Sequence, residues 1–570
     1  MKRRSKWIKI TLLSITGGIL LILGIVFTFA YFKGSQVLKK YLTETVYKGS
    51  RGLYRLETGD LHITIIPGWI SIRDVALIPD TALFRKWQMA DSSVSKLFSV
   101  NISMIQVRGV DFIGMLRKQK FDIRKVIIIG PEIKIDIYKS TGKKEEPRSR
   151  QTRHIRINLP AGIQSLNISQ VRLLKGSFRI IDHRADSLKE VIFPSITIEA
   201  DNIHTDHSGT PDPRLFNADD IRIRIADYSM SLDKGLYRLS LGVLSLSTGN
   251  SSLKLNKFSL APTLGRKEFA KKAVFQADRM NISIDEISLN GLKFDSAVLK
   301  GKILASRLTV KGLLLDDFRD QSYPRKPGLK PPLPQDLIPK IPLPFSIDTV
   351  CVQQSKAIYS EQKNAGPGTV SFADLQGKLY PLTNDSLKLQ QSYTMHLVGS
   401  ALLMGKGKFT ASFAFKVPSN HSSFNLKANI GNMDLMEFNQ VVTPLAGIMI
   451  SSGKLIKMEI PNILFTDFQS TGILKFYYSD LEIKLIRKDS SSWTNIKTSV
   501  LGFAANTYVG SDNPNRNGKF REGVIRFHRD TEKSIFNYLW KSVFTGLKST
   551  VGINSKEQKE IKKERKAKKK

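Results

Sequence analysis

Residues 131–138 read Pro-Glu-Ile-Lys-Ile-Asp-Ile-Tyr, so that Ile133, Ile135 and Ile137 alternate with Glu132, Lys134 and Asp136. A period of two belongs to an extended strand, whose side chains point in turn to opposite faces; a helix would scatter the three isoleucines around its axis. This strand has one apolar and one charged face. The pattern returns as Ile221, Ile223 and Ile225 against Arg222 and Arg224, and as Ile282, Ile284, Ile287 and Leu289 around Asn281, Ser283 and Asp285. It returns again as Leu481, Ile483 and Leu485 against Glu482 and Lys484, and earlier in Asp60–Ile66 and Trp69–Leu77. Turn residues punctuate these runs: Asp80, Gly130 before Pro131, Asp233 to Gly235, Gly249 with Asn250, Asn290 with Gly291, and Gly301. No strand–helix–strand rhythm is visible, which argues against a doubly wound parallel sheet. The expected fold is mainly β: a long antiparallel sheet, wet on one face and dry on the other.

At the start of the chain, Ile10 to Phe32 carries no charged side chain. As a helix it is roughly 34 Å long, enough to cross a hydrocarbon core of about 30 Å. Leu20 sits near its middle, and Lys2, Arg3, Arg4, Lys6 and Lys9 precede it, favouring a cytoplasmic N-terminus. A cleaved signal peptide shares the pattern, but the run is long for one and Phe29 to Phe32 holds no Ala-x-Ala-like pair. An uncleaved single-pass anchor is expected, with the bulk of the chain outside the cytoplasm. After it, Gln36 to Tyr47 has helical spacing.

The chain has 570 residues, 41% of them hydrophobic, which excludes wholesale disorder. Lysine plus arginine number 88 against 50 acidic residues, a net charge of +38. An anionic partner or the solvated face of a large sheet would each account for it; no nucleic-acid signature is present, and beside an anchor anionic lipid is the better partner. Cys351 is the single cysteine, so no intramolecular disulfide can form.

Eight prolines between Tyr323 and Phe345 forbid a central strand and mark a boundary. The expected order is a basic N-terminus (1–9), a membrane helix (10–32), a first β region (33–322), the proline-rich connection (323–344), a second β region (345–530), an amphipathic helix (531–553) and a basic tail (554–570). A short helical or irregular interruption is expected near Met433 to Met449. In the last helix Ile535, Phe536, Leu539, Trp540, Val543, Phe544 and Leu547 form an apolar stripe that could cap a sheet or lie on a membrane.

Catalytic patterns are missing: no Gly-x-Ser-x-Gly, phosphate-binding loop, His-Glu-x-x-His or dinucleotide fingerprint occurs. His204 and His207, with Asp201 and Asp206 nearby, read as a polar loop and not a metal site. No enzyme, metal or cofactor is expected. A long sheet with one apolar face must curl, pack on another layer, or hold something oily.

Leu56 to Asp80, LETGDLHITIIPGWISIRDVALIPD, resembles the opening repeat of AsmA-like envelope proteins, and Ile105 to Tyr138 is similar to the next unit. IPLPFSIDTVCVQQSKAIYSEQ (341–362), MDLMEFNQVVTPLAGIMISSGKLIKMEI (433–460) and GILKFYYSDLEIKLI (472–486) resemble the C-terminal part of that family, and the end from Gly518 looks like its Bacteroidota version. The resemblance implies a twisted, gutter-shaped β-groove, related in design to bridge-like lipid-transfer proteins and anchored in the inner membrane. It also implies movement of glycerophospholipids across the periplasm, support of outer-membrane homeostasis, and outer-membrane or envelope proteins as further partners. In such a groove Ile133, Ile135, Ile137, Ile221, Ile223, Ile225, Leu481, Ile483 and Leu485 would line the inner wall. A structural or adaptor protein, its sheet filled by its own side chains, is the alternative. Some 25 to 30 strands at ~4.8 Å would give an axis on the order of 120 to 145 Å.

Overall fold

A computed structural model describes residues 39–40, 42–64, 66–90, 95–112, 114, 120–139, 164–184, 189–206, 217–363, 366–417, 422–485 and 510–551. The expected anchor, marked by Ile10, Leu20 and Phe32, lies outside them, as do His207 and the tail. The described chain is mainly β, with 22 strands in one mixed, unclosed sheet. Several of these strands run to 18 residues. Contacts divide the molecule into two compact units. One holds residues up to Met230 with Ser240–Lys257 and Ser288–Leu304; the other holds Ser231–Leu239, Phe258–Ile287 and Ala305 onward.

The first unit begins with helix α1 (residues 42–49) and strands β1 (Tyr54–Glu57), β2 (Leu61–Thr64) and β3 (Trp69–Pro79). Helix α2 (Thr81–Ala90) follows Asp80, whose carboxylate accepts a hydrogen bond from the Leu83 N–H at 2.8 Å and so satisfies one of the free donors at the helix start. Then come β4 (Lys96–Val110), β5 (Lys120–Ile137), β6 (Ser165–Asp182), β7 (Lys189–Asp206) and β8 (Asp220–Leu232). Strand β3 pairs with β1 and β2 on one side and with β4 on the other, and pairing runs on through β5, β6, β7 and β8.

The sheet is not antiparallel throughout. Strands β5 and β6 run parallel, Lys120 beside Ser165 and Ile137 beside Asp182. Alternation assigns a residue to a face and is the same for either strand direction, so the pattern could not reveal this. Gly130, expected in a turn before Pro131, lies inside β5 instead. With φ +62° it forms an irregularity opposite Ser103, where pairing passes from Ile102–Pro131 to Met104–Ile129. Asp74, φ +49°, plays the same part in β3, so that Ile72 and Val75, three residues apart, both face the core.

Strands β9 (Tyr237–Ser247), β10 (Ser252–Pro262), β11 (Asp278–Asn290) and β12 (Ile303–Asp320) contribute residues to both units, with helix α3 (Arg266–Ala273) between β10 and β11. The second unit continues through β13 (Phe345–Lys363), β14 (Gly366–Tyr380), β15 (Leu382–Thr383), β16 (Tyr393–Leu403), β17 (Gly407–Val417), β18 (Phe424–Ile430) and β19 (Met433–Asp434). Helix α4 (Asn439–Ala446), β20 (Ile448–Phe465), β21 (Gln469–Leu485), β22 (Gly523–His528) and helix α5 (Ile535–Thr550) complete it. Strands β14, β16, β17, β18, β20, β21 and β22 pair antiparallel in that order.

The proline-rich segment lies inside the second unit and is held at several points. The Arg529 guanidinium donates to the Pro331 carbonyl at 2.8 Å, the Ser422 hydroxyl bonds the Asp336 carboxylate, and the Asn384 amide donates to the carbonyls of Ile341 and Leu343 at 2.9 Å each. Leu333 and Ile338 are buried. Within it Pro334–Leu337 forms a helical turn and Ile338–Lys340 a 3-10 turn, since proline lacks the N–H a ladder needs but fits the first turn of a helix.

Candidate functional site

Cross-strand register in the first unit turns the apolar face into continuous rows. Ile72, Ile105, Ile128, Leu173, Ile198 and Ile223 stand opposite one another from β3 to β8. Ile70, Val107, Val126, Val171, Ala200 and Ile221 form a second row beside them. At ~4.8 Å between strands each row is about 24 Å long.

Coverage changes along the rows. Leu42 and Val46 of α1 pack with Ile72, Ile105 and Ile128, which are 5–7% exposed. Leu173, Ile198 and Ile223 are only half-buried. On the opposite face of β6, β7 and β8 the side chains form a charged ladder: Arg172 to Glu199 at 3.2 Å, then Arg222 to Glu199 at 3.1 Å, to Asp201 at 2.6 Å and to Asp220 at 2.9 Å. Hydrogen bonds, first that to Asp201, hold the Arg222 guanidinium protonated well above its usual range. Such partly exposed pairs add little stability, about 0–1 kcal/mol each, but they mark that face as the one in water.

The expected lining residues fall in both units. Ile133, Ile135 and Ile137 share a face of β5: Ile133 lies between Val100 and Phe178 and packs on the core, Ile135 lies between Phe98 and Ile180 and is 4% exposed, and Ile137 lies between Lys96 and Asp182. Ile221, Ile223 and Ile225 face Ala200, Ile198 and Ile196 of β7. Leu481 is buried, Ile483 pairs with Ile450, and the Leu485 backbone pairs with Ile448. The pattern of alternation did not reveal Ile72, Ile105, Leu173 and Ile198 as members of one row, because it does not say which strands lie side by side; within single strands, positive-φ residues also shift its phase. The signal present in the sequence was the set of Gly, Asp, Asn and Lys residues at those shifts, including Asp74, Gly130, Lys175 and Asn202, all with positive φ. His204 belongs to β7 and bonds Asn167, so it is a strand residue and not part of a loop. Strand and loop differ here only by the pairing to β6, which a Ser/Thr/Gly-rich neighbourhood obscures.

The second unit carries the same kind of face with its own cover. Leu397, Phe413, Leu426 and Ile463 form one row; Met395, Phe415, Phe424 and Phe465 form the next. Rings of Phe415, Phe424 and Phe465 follow one another at 5.2 and 4.5 Å, and Tyr538 of α5 meets Phe465 edge-on at 5.0 Å. Helix α5 packs on this face of β21 and β22 with Tyr538, Ser542, Gly546 and Thr550, not with the apolar stripe. Ser542 and Ser470 share a hydrogen bond of 2.7 Å, and a Cβ on Gly523 would stand 2.4 Å from the Gly546 carbonyl oxygen. Of the stripe, Ile535, Leu539, Val543, Phe544 and Leu547 are half-buried, while Phe536 and Trp540 are 62% and 39% exposed. Small residues permit a close approach, so shape and not hydrophobicity selects the buried side.

Helix α4 bridges two strands of this unit. Its Asn439 side chain exchanges two 2.8 Å hydrogen bonds with the Ile450 backbone of β20, while Leu445 and Val441 sit over Gly368 of β14. Helix α4 thus joins β20 to β14 at the end of the sheet, past the last paired residues of β16 and β18.

Asp317 on β12 is 9% exposed, and its Oδ1 has no hydrogen-bond partner in the protein. Burial, with Asp278 beside it, pushes the carboxyl up to about 7 from 3.8. The folded chain therefore holds a proton there that the unfolded chain releases near pH 4, so stability falls as pH rises from about 4 through 7. In urea titrations, moving from pH 5 to pH 8 should cost the wild type on the order of 1 kcal/mol more than Asp317→Asn; equal pH dependence would show that Asp317 is ionised throughout.

Among the described residues no group of His, Cys, Asp and Glu is arranged to hold a metal, and no helix is long and apolar enough to cross a membrane. No protein-family model matches the chain, and no curated protein matches its sequence.

Proposed function

We propose that the apolar face is a lipid-binding and lipid-conducting surface, and that the chain is an inner-membrane-anchored periplasmic protein of the AsmA-like kind, carrying glycerophospholipid acyl chains in support of outer-membrane homeostasis. The observation that carries this reading is the pair of aliphatic rows in register from β3 to β8, of which the row from Ile72 to Ile223 is closely covered at β3 to β5 and half-open at β6 to β8, while Ala200 and Ile221 of the other stay buried. An acyl chain laid there leaves water at ~0.8 kcal/mol per methylene. Neighbouring steps along a row offer nearly the same aliphatic surface, so sliding is close to isoenergetic, and a polar head group stays in solvent. No catalytic group takes part in this reading.

The test is direct. The chain from Lys33 onward is purified and its organic extract analysed by mass spectrometry; co-purified glycerophospholipid in stoichiometric amount is expected. A second reading, a structural or adaptor protein of the envelope with no lipid transport of its own, draws on the second unit, where α5 occupies part of the apolar face. A lipid-free extract favours it.

A further inference from the structure

The turn between β2 and β3 ends in an apolar tip with no cover among the described residues. Ile66 is 86% exposed and Trp69 is 52% exposed, although both belong to a well-fixed element. The Gly68 carbonyl accepts from the Val110 N–H at 3.2 Å, and at φ +79° a Cβ on Gly68 would stand 2.4 Å from the Val110 oxygen, so the tip is pressed onto β4. Trp69 pairs with Arg108, whose guanidinium lies 5.7 Å from the indole centroid. Lys120 begins β5 at the same end of the sheet, exposed.

Chain length says what lies next to this tip. Lys39 donates to the Gly59 carbonyl at 3.3 Å, and the Gly59 N–H in turn donates to the Arg73 carbonyl at 2.9 Å, which places Lys39 beside the middle of β3. Phe32, the last residue of the apolar run, is seven residues earlier. Seven residues reach between about 10 Å as helix and about 24 Å extended. Trp69 is four residues along β3 from Arg73, about 13 Å. If Ile10–Phe32 is a membrane span, the bilayer surface lies within the same distance of Lys39 as the tip does.

We infer that Ile66 and Trp69 insert into the interfacial layer of the membrane that holds the anchor, with Arg108, Lys120, Lys39 and Lys40 over anionic head groups. Tryptophan favours that layer, where its ring is apolar and its N–H is wet, and basic side chains are drawn to an anionic surface. Span and tip together make two points of attachment, which fix the start of the aliphatic rows against the lipid source. The inference rests on the anchor reading and deepens it.

The experiment uses the full chain in bilayers of phosphatidylethanolamine and phosphatidylglycerol, with Trp7, Trp87, Trp493 and Trp540 replaced by phenylalanine. Lipids brominated near the head group should quench Trp69 by roughly half, with blue-shifted emission. A parallel form, Ile66→Cys with Cys351→Ser and an environment-sensitive fluorophore on the introduced thiol, keeps all tryptophans and should show the same shift. Unquenched, water-like emission from both, in protein that survives an alkaline wash of the membrane, overturns the inference while leaving the anchor standing. Release of the protein by that wash overturns the anchor reading instead.

Discussion

Ile223→Asp is expected to leave the protein folded and, on the proposed function, to lower the glycerophospholipid recovered with it by at least about tenfold. Ile223 is half-buried at the open end of its row, so a carboxylate there can stay hydrated when no lipid is present, and folding is spared. An acyl chain laid over it would strip that water, at a cost above the roughly 1.4 kcal/mol that makes a tenfold change in occupancy. The same substitution at Ile135 is expected to behave differently. Ile135 is 4% exposed between Phe98 and Ile180, and an unpaired charge there costs several kcal/mol of stability before any lipid is involved. Ile192→Asp is the control: Ile192 lies on β7, pairs with Arg179 of β6, and is 37% exposed, so loading should be unchanged. Equal lipid recovery from wild type and Ile223→Asp would show that this face does not carry the ligand.

Gly523→Val should destabilise the second unit by about 3 kcal/mol and detach α5. Its added carbons would meet the Gly546 oxygen at 2.4 Å and the Thr550 methyl at 3.1 Å; the first is helix backbone, which can yield only by lifting the helix. Tyr538 would then leave Phe465, and Ser542 would leave Ser470. A lower urea midpoint and faster proteolysis between His528 and Ile535 are the readouts. Gly49→Ala, which meets nothing within 4 Å, should lose no stability. A Gly523→Val protein with the parent's midpoint would mean that α5 is not held by this contact. The same variant bears on lipid: freeing α5 uncovers the aromatic rows of β17 to β21, and if α5 competes with acyl chains for them, loading rises.

Much of the sheet was legible in the residues. Side chains on a strand alternate by geometry, so Ile133, Ile135 and Ile137, or Ile221, Ile223 and Ile225, must share a face whatever the strand pairs with. The helical stripe from Ile535 to Leu547 was equally visible, and a helix is found at Ile535–Thr550. Helices α2 and α3 were not foreseen. Each has eight to ten residues, too few turns for periodicity to stand out from the flanking strands.

What the sequence by itself determined is the local part: extended chain over most of the length, an apolar and a charged face, a break of regular structure at the prolines, and a last helix. These follow from interactions within a few residues, where side-chain period and backbone sterics act. Tertiary structure alone decided that β5 and β6 run parallel, that six aliphatic residues from six strands align, and that α5 buries Tyr538, Ser542, Gly546 and Thr550 in preference to its apolar stripe. The physical reason is that each depends on a partner distant in sequence. Register is set by which strand lies alongside, and a helix is seated by how closely its backbone can approach a glycine such as Gly523, neither of which is written in the period of a single segment.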